Sequence, residues 1–489
     1  MNGEYMAGRK AARTSLGDVL VLGLGKSGKA VVEYCLGLLG GRVSSLTIAA
    51  GEHNEAAVAS AKDYERRGAK VYFDRYTFDE ERYDLCIASP GISQFSRFYE
   101  NAQAASACIV SEVEFAWRES RADTRWIAVT GTNGKTTTTT LITHILDEAG
   151  ERVAAVGNIG NTCIEAVAAD AADVFVAEVS SFQLASMELF APQVAVLLNI
   201  TPDHLYWHMT FDAYVEAKRN VYRRLSDTRG TLVIDGVCDV TRACIKDFKD
   251  DPDRAFDYIP IGCAQGVDAS MKEACGSENA AWLHDGMLRV EYGGEAMELI
   301  AASSLRIKGA HNASNALAAA SAALAAGVPV ECVRRALRSF EPLEHRLEPC
   351  GIIDGVSFFN DSKATNVDAT CKALSAFAPD TAVFLLGGHD KGTDLDALVA
   401  DASRVCRAVV CFGAAGERFE RAFAAVHDAV EVVRAAHMED ALDAAMALAH
   451  PGDSVVLSPA CASFDEFDSF EHRGRVFKQL VAFRAQSAR

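Results

Sequence analysis

The segment Ala128-Val129-Thr130-Gly131-Thr132-Asn133-Gly134-Lys135-Thr136-Thr137 restricts the possible fold more than any other stretch of the chain. Ahead of it, Trp126-Ile127-Ala128-Val129 reads as the end of a buried strand; behind it, Leu141-Ile142 and Ile145-Leu146 recur at helical spacing. A strand, a glycine-containing loop and a helix N-terminus form a phosphate cradle. Backbone N–H groups point at the anion, Lys135 supplies a point charge and the Thr136 hydroxyl is placed to hold Mg²⁺. The strict pattern has glycine where Val129 stands, so a plain glycine turn with a solvated lysine is the competing reading. Gly-Lys-Thr at a strand-to-helix junction speaks against that turn. The β-branched run Thr136 to Thr140 opens a helix poorly, a conflict that a loop shaped for phosphate tolerates. The segment predicts an α/β protein that uses a nucleoside triphosphate.

At 489 residues the chain exceeds one core, and three blocks emerge. The first, residues 1–120, runs Val19-Leu20-Val21-Leu22 into Gly23-Leu24-Gly25-Lys26-Ser27-Gly28, which predicts a Rossmann-like unit with a diphosphate at the helix N-terminus. NAD calls for an acid closing the second strand. Leu46-Thr47-Ile48 is followed by Ala49-Ala50-Gly51, and Glu52 arrives late, so NAD is disfavoured. Leu85-Cys86-Ile87-Ala88 ends in the turn Ser89-Pro90-Gly91 at the same sheet edge.

The second block, residues 121–343, carries the phosphate loop. Its further strands, Val174 to Ala177 and Val194 to Leu198, deliver Glu178, and then Asn199, Thr201, Asp203 and His204, to their carboxyl ends, where ligands of open α/β sheets gather. Asp285-Gly286 marks a hairpin, and a periodic Ala-rich helix follows His311-Asn312-Ala313-Ser314-Asn315. The third block, residues 344–489, alternates the strands Val383–Leu386, Val409–Phe412 and Val455–Leu457 with amphipathic helices, another doubly wound unit. The expected fold is therefore α/β in three domains: Rossmann-like, a central mostly parallel ATPase-type sheet, and Rossmann-like again.

Glu178, closing a buried strand, is the candidate metal carboxylate, against the alternative of a rim salt bridge. His204 at the next strand end is a candidate catalytic or metal residue. Spacing alone leaves Lys218 a solvated helix lysine. In the third block, Asn360 to Asn366, Gly387 to Gly392 and Ser458 to Asp465 form three polar loops with Lys363 and Lys391, suited to a small dicarboxylate or a nucleotide. Each taken singly also reads as a capped loop. A net charge of -19 without a basic block argues against nucleic acid or anionic membrane as main partner. The 14 scattered cysteines read as buried hydrophobes of a reducing compartment. No apolar run reaches the roughly 18 residues of a membrane span. Met1 to Ser15 is polar, without a signal core, and is expected to be a short loose tail on a cytoplasmic protein.

Taken together, Thr130 to Thr136, Gly157-Asn158-Ile159-Gly160, Glu178-Val179-Ser180-Ser181-Phe182-Gln183-Leu184, Thr201-Pro202-Asp203-His204-Leu205 and His311-Asn312 resemble the Mur ligases, ATP-dependent amide-bond ligases of peptidoglycan precursor synthesis. His345-Arg346, Asn360 to Asn366, Leu457 to Asp465 and His472-Arg473-Gly474 narrow the resemblance to the branch that joins D-glutamate to UDP-N-acetylmuramoyl-L-alanine. The resemblance runs from about Val19 to the end of the chain. It implies that Gly131, Thr132, Asn133, Gly134, Lys135, Thr136 and Thr137 hold ATP, with Asn312 and Asn315 beside the adenine and Arg346 and Asp361 near ribose and phosphates. It implies two Mg²⁺ ions, one on Thr136 and Glu178, one on His204 and Lys218, the lysine N-carbamylated by CO₂. Lys135, Glu178, His204 and Lys218 become the catalytic group. Lys26, Ser27, Ser89, Gly91 and Asn158 would receive the UDP-substrate, and Lys363, Thr365, Lys391, Ser463 and the Phe470 backbone D-glutamate.

The reaction implied is carboxyl activation by ATP to an acyl phosphate and capture by the amine, in a monomer whose third domain swings onto the second when ATP binds. The chain departs from the family's pattern at Ala49-Ala50-Gly51, where Asp-x-Arg is common, and at Tyr206 and Met209. Another ligase of the superfamily, such as folylpolyglutamate synthase, and a nucleotide switch without chemistry are the rival readings. The Asn360 to Asn366 and Ser458 to Asp465 segments count against the first, Glu178 and His204 against the second.

Overall fold

The computed structural model describes residues 4–51, 55–78, 81–263, 270–307, 309–390, 392–424 and 429–487. Continuous apolar runs become strands buried on both faces, as parallel sheets covered by helices require: Val19, Leu20, Val21 and Leu22 have no exposed surface, nor do Val383 through Leu386. Three sheets result. The first is wholly parallel, with strands in the order Lys70–Tyr72, Val43–Ala49, Gly17–Leu22, Leu85–Ala88, Ile109–Ser111. Strand order reverses on either side of Gly17–Leu22, so the glycine loop after Leu22 opens at a switch point.

The second sheet runs Glu295–Ala301, Met287–Tyr292, Ala280–His284, Asp257–Gly262, Thr231–Asp235, Val194–Leu197, Arg125–Thr130, Val174–Glu178, Val153–Gly157. It is parallel except for its last two hairpin pairings. Asp285 and Gly286 both take positive φ, 49° and 75°, the two-residue turn that matches strand twist. Trp126 anchors the core beneath, with ring centroids 5.0 Å from Phe175 and 6.0 Å from Phe190. In the third sheet an antiparallel edge strand, Glu348–Ile353, precedes Val356–Asn360, Ser454–Ala460, Ala382–Gly387, Cys406–Phe412 and Glu431–Arg434. Phe384 and Leu386 pack on one face with Val409 and Val456, while Val383 and Leu385 pack on the other with Val410 and Val455, the period-two division of a doubly wound sheet.

Two compact units form: residues 1–304 with 314–339, and residues 305–313 with 340–489. The first two sheets therefore share one unit.

Two local expectations are corrected. The N-terminus is not a loose tail from Glu4 on. Met6 N donates to Ala12 O at 2.8 Å, Lys10 N and Ala11 N donate to Ser120 O and Arg118 O at 3.1 Å, and Arg42 ties Arg13 O to the Glu119 carboxylate. Main-chain pairing, invisible in a polar sequence, orders it against residues 118–122. Likewise, Asn312 and Asn315 do not precede the Ala-rich helix but lie within it, since it spans Ala310–Ala325. No helix among the described residues is long and apolar enough to cross a membrane.

Candidate active site

The strand Arg125–Thr130 delivers the phosphate loop, and the helix Lys135–Glu148 leaves it with Gly134 at its N-cap in the left-handed region, φ 86°. A side chain there would strike Asn315 Oδ1, and one at Gly131 would strike Leu198. Glycine is needed at both places because the neighbouring strand and helix press against the loop. Asn199 braces it from the next strand: its carbonyl accepts from Thr132 N at 2.7 Å and its side chain from Asn133 N at 3.1 Å. Thr132 Oγ1 shares a hydrogen bond with Tyr214 at 2.9 Å and accepts from Thr201 N at 3.0 Å. Lys135 folds back, donating to Gly131 O at 3.0 Å and Thr132 O at 2.8 Å. Thr136 is half-buried on the first helical turn and Thr137 is buried. Asn315 is buried against Thr138, which donates to its Oδ1 at 3.4 Å.

Lys218 is not the solvated lysine that spacing suggests. It is 1% exposed on the helix Phe211–Arg219, and its Nζ donates to the same Gly131 carbonyl at 2.8 Å, above the Tyr214 ring at 4.7 Å. Burial, then the nearby Lys135 charge, pushes its pKa well below the ordinary lysine value; Asp203 and Glu178 oppose this. Glu178 ends its strand 2% exposed. Its Oε1 accepts from Asn158 Nδ2 at 2.9 Å, and its Oε2 is buried with no hydrogen-bond partner among the described residues. Thr130 Oγ1 and Thr201 Oγ1 are likewise buried and unpartnered there. An unmatched buried carboxylate oxygen costs desolvation energy that a hard cation offsets, so the Glu178 carboxylate fits Mg²⁺.

His204 caps a short helix in the left-handed region, φ 54°; its Nε2 lies 3.6 Å from Asp203 Oδ2 and its ring 4.8 Å from that of Phe182. Sequence reasoning passed over His208. It is fully buried, its Nε2 meets Ser181 Oγ at 2.9 Å, and its pKa is lowered to about 4 by burial, then by Lys218 and His204. Lys135 and Lys218 thus meet at one carbonyl, with Glu178, Asp203, His204 and His208 around them.

In the first sheet, a cavity of about 750 Å³ opens at the carboxyl edge, lined by Gly23 to Ser27, Lys29, Ala50, Gly51, Tyr76, Ser89 to Ile92 and Phe98. Lys26, Ser27, Ser89 and Gly91 all lie on it. Ser89 Oγ donates to Gly23 O at 3.2 Å, and Lys26 Nζ reaches Gly160 O at 2.6 Å, beside the Asn158 turn.

In the second unit, Asp361 follows the strand Val356–Asn360 and is buried. Ser458 Oγ donates to its Oδ2 at 2.7 Å and Leu347 N to its Oδ1 at 3.2 Å. Burial raises its pKa to about 7, against the Ser458 hydrogen bond and the Arg346 charge. Lys363 Nζ sits 5.4 Å over the Phe470 ring, and Phe470 O accepts from Ser362 Oγ at 2.9 Å. The polar loops share one fully buried cation, Arg473, which sequence reasoning gave no separate role. Its guanidinium donates to Ser362 Oγ, Ser362 O, Cys461 O and Ala462 O at 2.8–3.1 Å. It therefore joins the loop bearing Lys363 and Thr365 to the one bearing Ser463. Arg346 follows His345, whose Nδ1 accepts from Asn360 Nδ2 at 2.8 Å. Lys478 Nζ bridges the adjacent Glu344 and Glu348 at 2.6 and 2.8 Å, making them an ion-pair network. Asn312 belongs to this unit's segment 305–313. Lys391 lies outside the described residues.

Comparison with known proteins follows the same division. A family model described as the Mur ligase middle domain matches residues 129–323, and one described as the Mur ligase, glutamate ligase domain, matches residues 345–461. The chain is 36% identical over 471 residues to the UDP-N-acetylmuramoylalanine–D-glutamate ligase of Thermoanaerobacter sp. (strain X514), covering 95% of this chain and 98% of that one. It is 38% identical over 475 residues to the protein of the same name from Salinibacter ruber, covering 94% and 96%. Among solved structures, MurF ligase from Thermotoga maritima in complex with ADP matches with a TM-score of 0.57 at 16% identity, over 90% of this chain and 96% of that one. UDP-N-acetylmuramate-alanine ligase MurC from Thermotoga maritima matches with a TM-score of 0.55 at 17% identity, over 96% and 100%. The two structures share the fold, and the relatives' identity over nearly their whole length settles the kinship: the chain belongs to the Mur ligase family.

Proposed function

We propose that the protein is an ATP-dependent ligase that joins D-glutamate to UDP-N-acetylmuramoyl-L-alanine, acting as a cytoplasmic monomer in peptidoglycan precursor synthesis. What carries the reading is similarity over nearly the full length of relatives bearing that enzyme name. The geometry supports it with a braced phosphate loop on the strand paired beside the one that ends in the buried, half-partnered Glu178. The three domains of the reading are 1–120 for the UDP-substrate, 121–343 for ATP and 344–489 for the amino acid.

The alanine carboxylate attacks the γ-phosphorus of ATP; the Pγ–O bond to ADP breaks and an acyl phosphate forms. Loop N–H groups from Gly131 to Thr137 orient the triphosphate, and Lys135 exchanges its carbonyl contacts for phosphate oxygens. Thr136 and Glu178 would hold one Mg²⁺, His204 and Lys218 a second. Bound there, Mg²⁺ would supply positive charge opposite the transferring phosphoryl group. Lys218 takes part as a carbamate: its neutral amine adds to CO₂, a proton leaves, and an anionic oxygen donor replaces a cation. Asn312, Asn315, Arg346 and Asp361 hold the nucleoside side of ATP. Lys26, Ser27, Ser89, Gly91 and Asn158 seat the UDP-sugar. Lys363, Thr365, Lys391, Ser463 and the Phe470 backbone orient D-glutamate, whose amine attacks the acyl carbon. The tetrahedral adduct then expels phosphate. Water must be kept from the acyl phosphate, which the third domain accomplishes by closing onto the second.

The test is a panel of amino acids. With ATP, Mg²⁺ and UDP-N-acetylmuramoyl-L-alanine, phosphate release is expected with D-glutamate and to be absent without it. Equal release with L-glutamate or L-lysine would refute the assignment.

A further inference from the structure

The cavity beside the first glycine loop has two kinds of lining. One is anionophilic: the loop Gly23 to Ser27, the start of the 11-residue helix Lys26–Leu36, and Lys29. The other is apolar and aromatic: Ala50, Ile92, Phe98 and Tyr76. The second strand stops at Ala49, and Ala50 and Gly51 bring no side chain that hydrogen-bonds a ribose or a base edge. No carboxylate lines the cavity among the described residues.

Tyr76 is held there by its surroundings. Asp74 N donates to Gly51 O at 2.8 Å, which pins the segment after the third strand to the end of the second. Asn101 Nδ2 donates to Tyr76 O at 2.7 Å. The Tyr76 ring meets Phe98 edge-on at 5.1 Å, while the preceding Arg75 is drawn elsewhere, stacked over Tyr72 at 4.5 Å and paired with Glu81 at 2.9 Å. Despite these restraints Tyr76 is 42% exposed and lines the cavity.

We propose that Tyr76 is the platform on which the nucleobase of the UDP-substrate stacks, so that this chain recognises the base by its face, in place of side-chain hydrogen bonds from the end of the second strand. The inference rests on the function proposed above and adds to it a residue and a mode of recognition. Stacking of a base on an aromatic ring changes affinity by about tenfold or more on truncation to alanine, and tolerates exchange among aromatics.

The experiment measures UDP binding by calorimetry to the full-length wild type, Tyr76→Phe and Tyr76→Ala, with saturating ADP to fill the phosphate loop. The expected result is a Kd for UDP about tenfold higher in Tyr76→Ala and within about twofold of wild type in Tyr76→Phe. The KM for the UDP-substrate should rise in step, while the KM for ATP does not. Circular dichroism and the melting temperature of each variant establish that it is folded; Tyr76→Leu replaces an alanine variant that is not. Binding by the alanine or leucine variant within twofold of wild type overturns the platform and leaves the proposed function standing. Loss in Tyr76→Phe equal to that in Tyr76→Ala overturns it too, because the hydroxyl would then be what matters. Failure of the wild type to bind UDP at all removes the proposed function and this inference together.

Discussion

Lys218 illustrates how far a single side chain's meaning depends on its neighbours. Its helix would place a lysine in solvent by periodicity, yet it is buried against Gly131 O and Tyr214. An ammonium in that position suffers desolvation and repulsion from Lys135. Conversion to a carbamate would turn the repulsion from Lys135 into attraction and create an acceptor. Lys218→Ala is therefore expected to lose turnover by two or more orders of magnitude and to regain part of it with formate or acetate, which restores a carboxylate in the vacated space. Phosphate release with and without added acid checks this, and complete lack of rescue would count against the carbamate. That Lys135, Glu178 and His204 stand at or just past strand ends was legible in the sequence, because each follows an unbroken apolar run or the loop after it. His208 and Tyr214 were not, and Asn199 was placed at the ligand edge without its bracing contact, because these roles arise from packing between elements that the sequence keeps apart: Ser181 binds His208, and Asn199 braces Asn133. Asn315 entered as a candidate through the family resemblance, but its contact with the phosphate-loop helix through Thr138 was not legible.

Glu112 belongs to the scale of elements, since it ties two helices together. It opens the helix Glu112–Glu119, is 2% exposed, and its Oε1 accepts from Ile164 N, at 2.7 Å, on the first turn of the helix Cys163–Ala168. Its other oxygen is buried without a hydrogen-bond partner among the described residues. Burial raises its pKa to about 7, against the Ile164 hydrogen bond. The unfolded chain releases this proton near the ordinary glutamate value, whereas the folded one retains it to about pH 7. Between those values the folded state binds more protons, so the contribution to stability is complete at acidic pH and is lost as pH rises through 7. Glu112→Gln keeps the acceptor for Ile164 N and removes the titration. It should match the wild type near pH 4.5 and exceed it at pH 8 by on the order of 2 kcal/mol in denaturant melts. An equal difference at both pH values would show that Glu112 does not titrate in this range. At this scale the strands were easy to read, because fully buried parallel strands are unbroken apolar runs. The N-terminal hairpin was not, because it is held through main-chain groups. The helix Ala310–Ala325 was read as starting too late, because its polar first turn resembles a loop.

For the whole molecule, the three sheets could be anticipated from the spacing of strand and helix patterns, whereas the grouping of the first two into one compact unit could not. That grouping depends on long-range packing such as Trp117 against Phe190, which no local periodicity reports. The phosphate loop and Lys218 belong to one unit, Asp361, Lys363 and Ser463 to the other, and the chain passes between them three times, after Ser304, Ala313 and Ser339. The proposed chemistry needs groups of both on a single bond, because an acyl phosphate formed in one unit must meet an amine oriented by the other before water does. Ligand binding is then expected to draw the units into a more compact arrangement. Small-angle scattering with a non-hydrolysable ATP analogue, Mg²⁺ and UDP-N-acetylmuramoyl-L-alanine together should give a smaller radius of gyration than the free protein, with the analogue alone producing part of the change. A preparation that turns over normally yet scatters identically in every ligand state would exclude closure of the third domain and leave catalysis to a fixed arrangement of the two units.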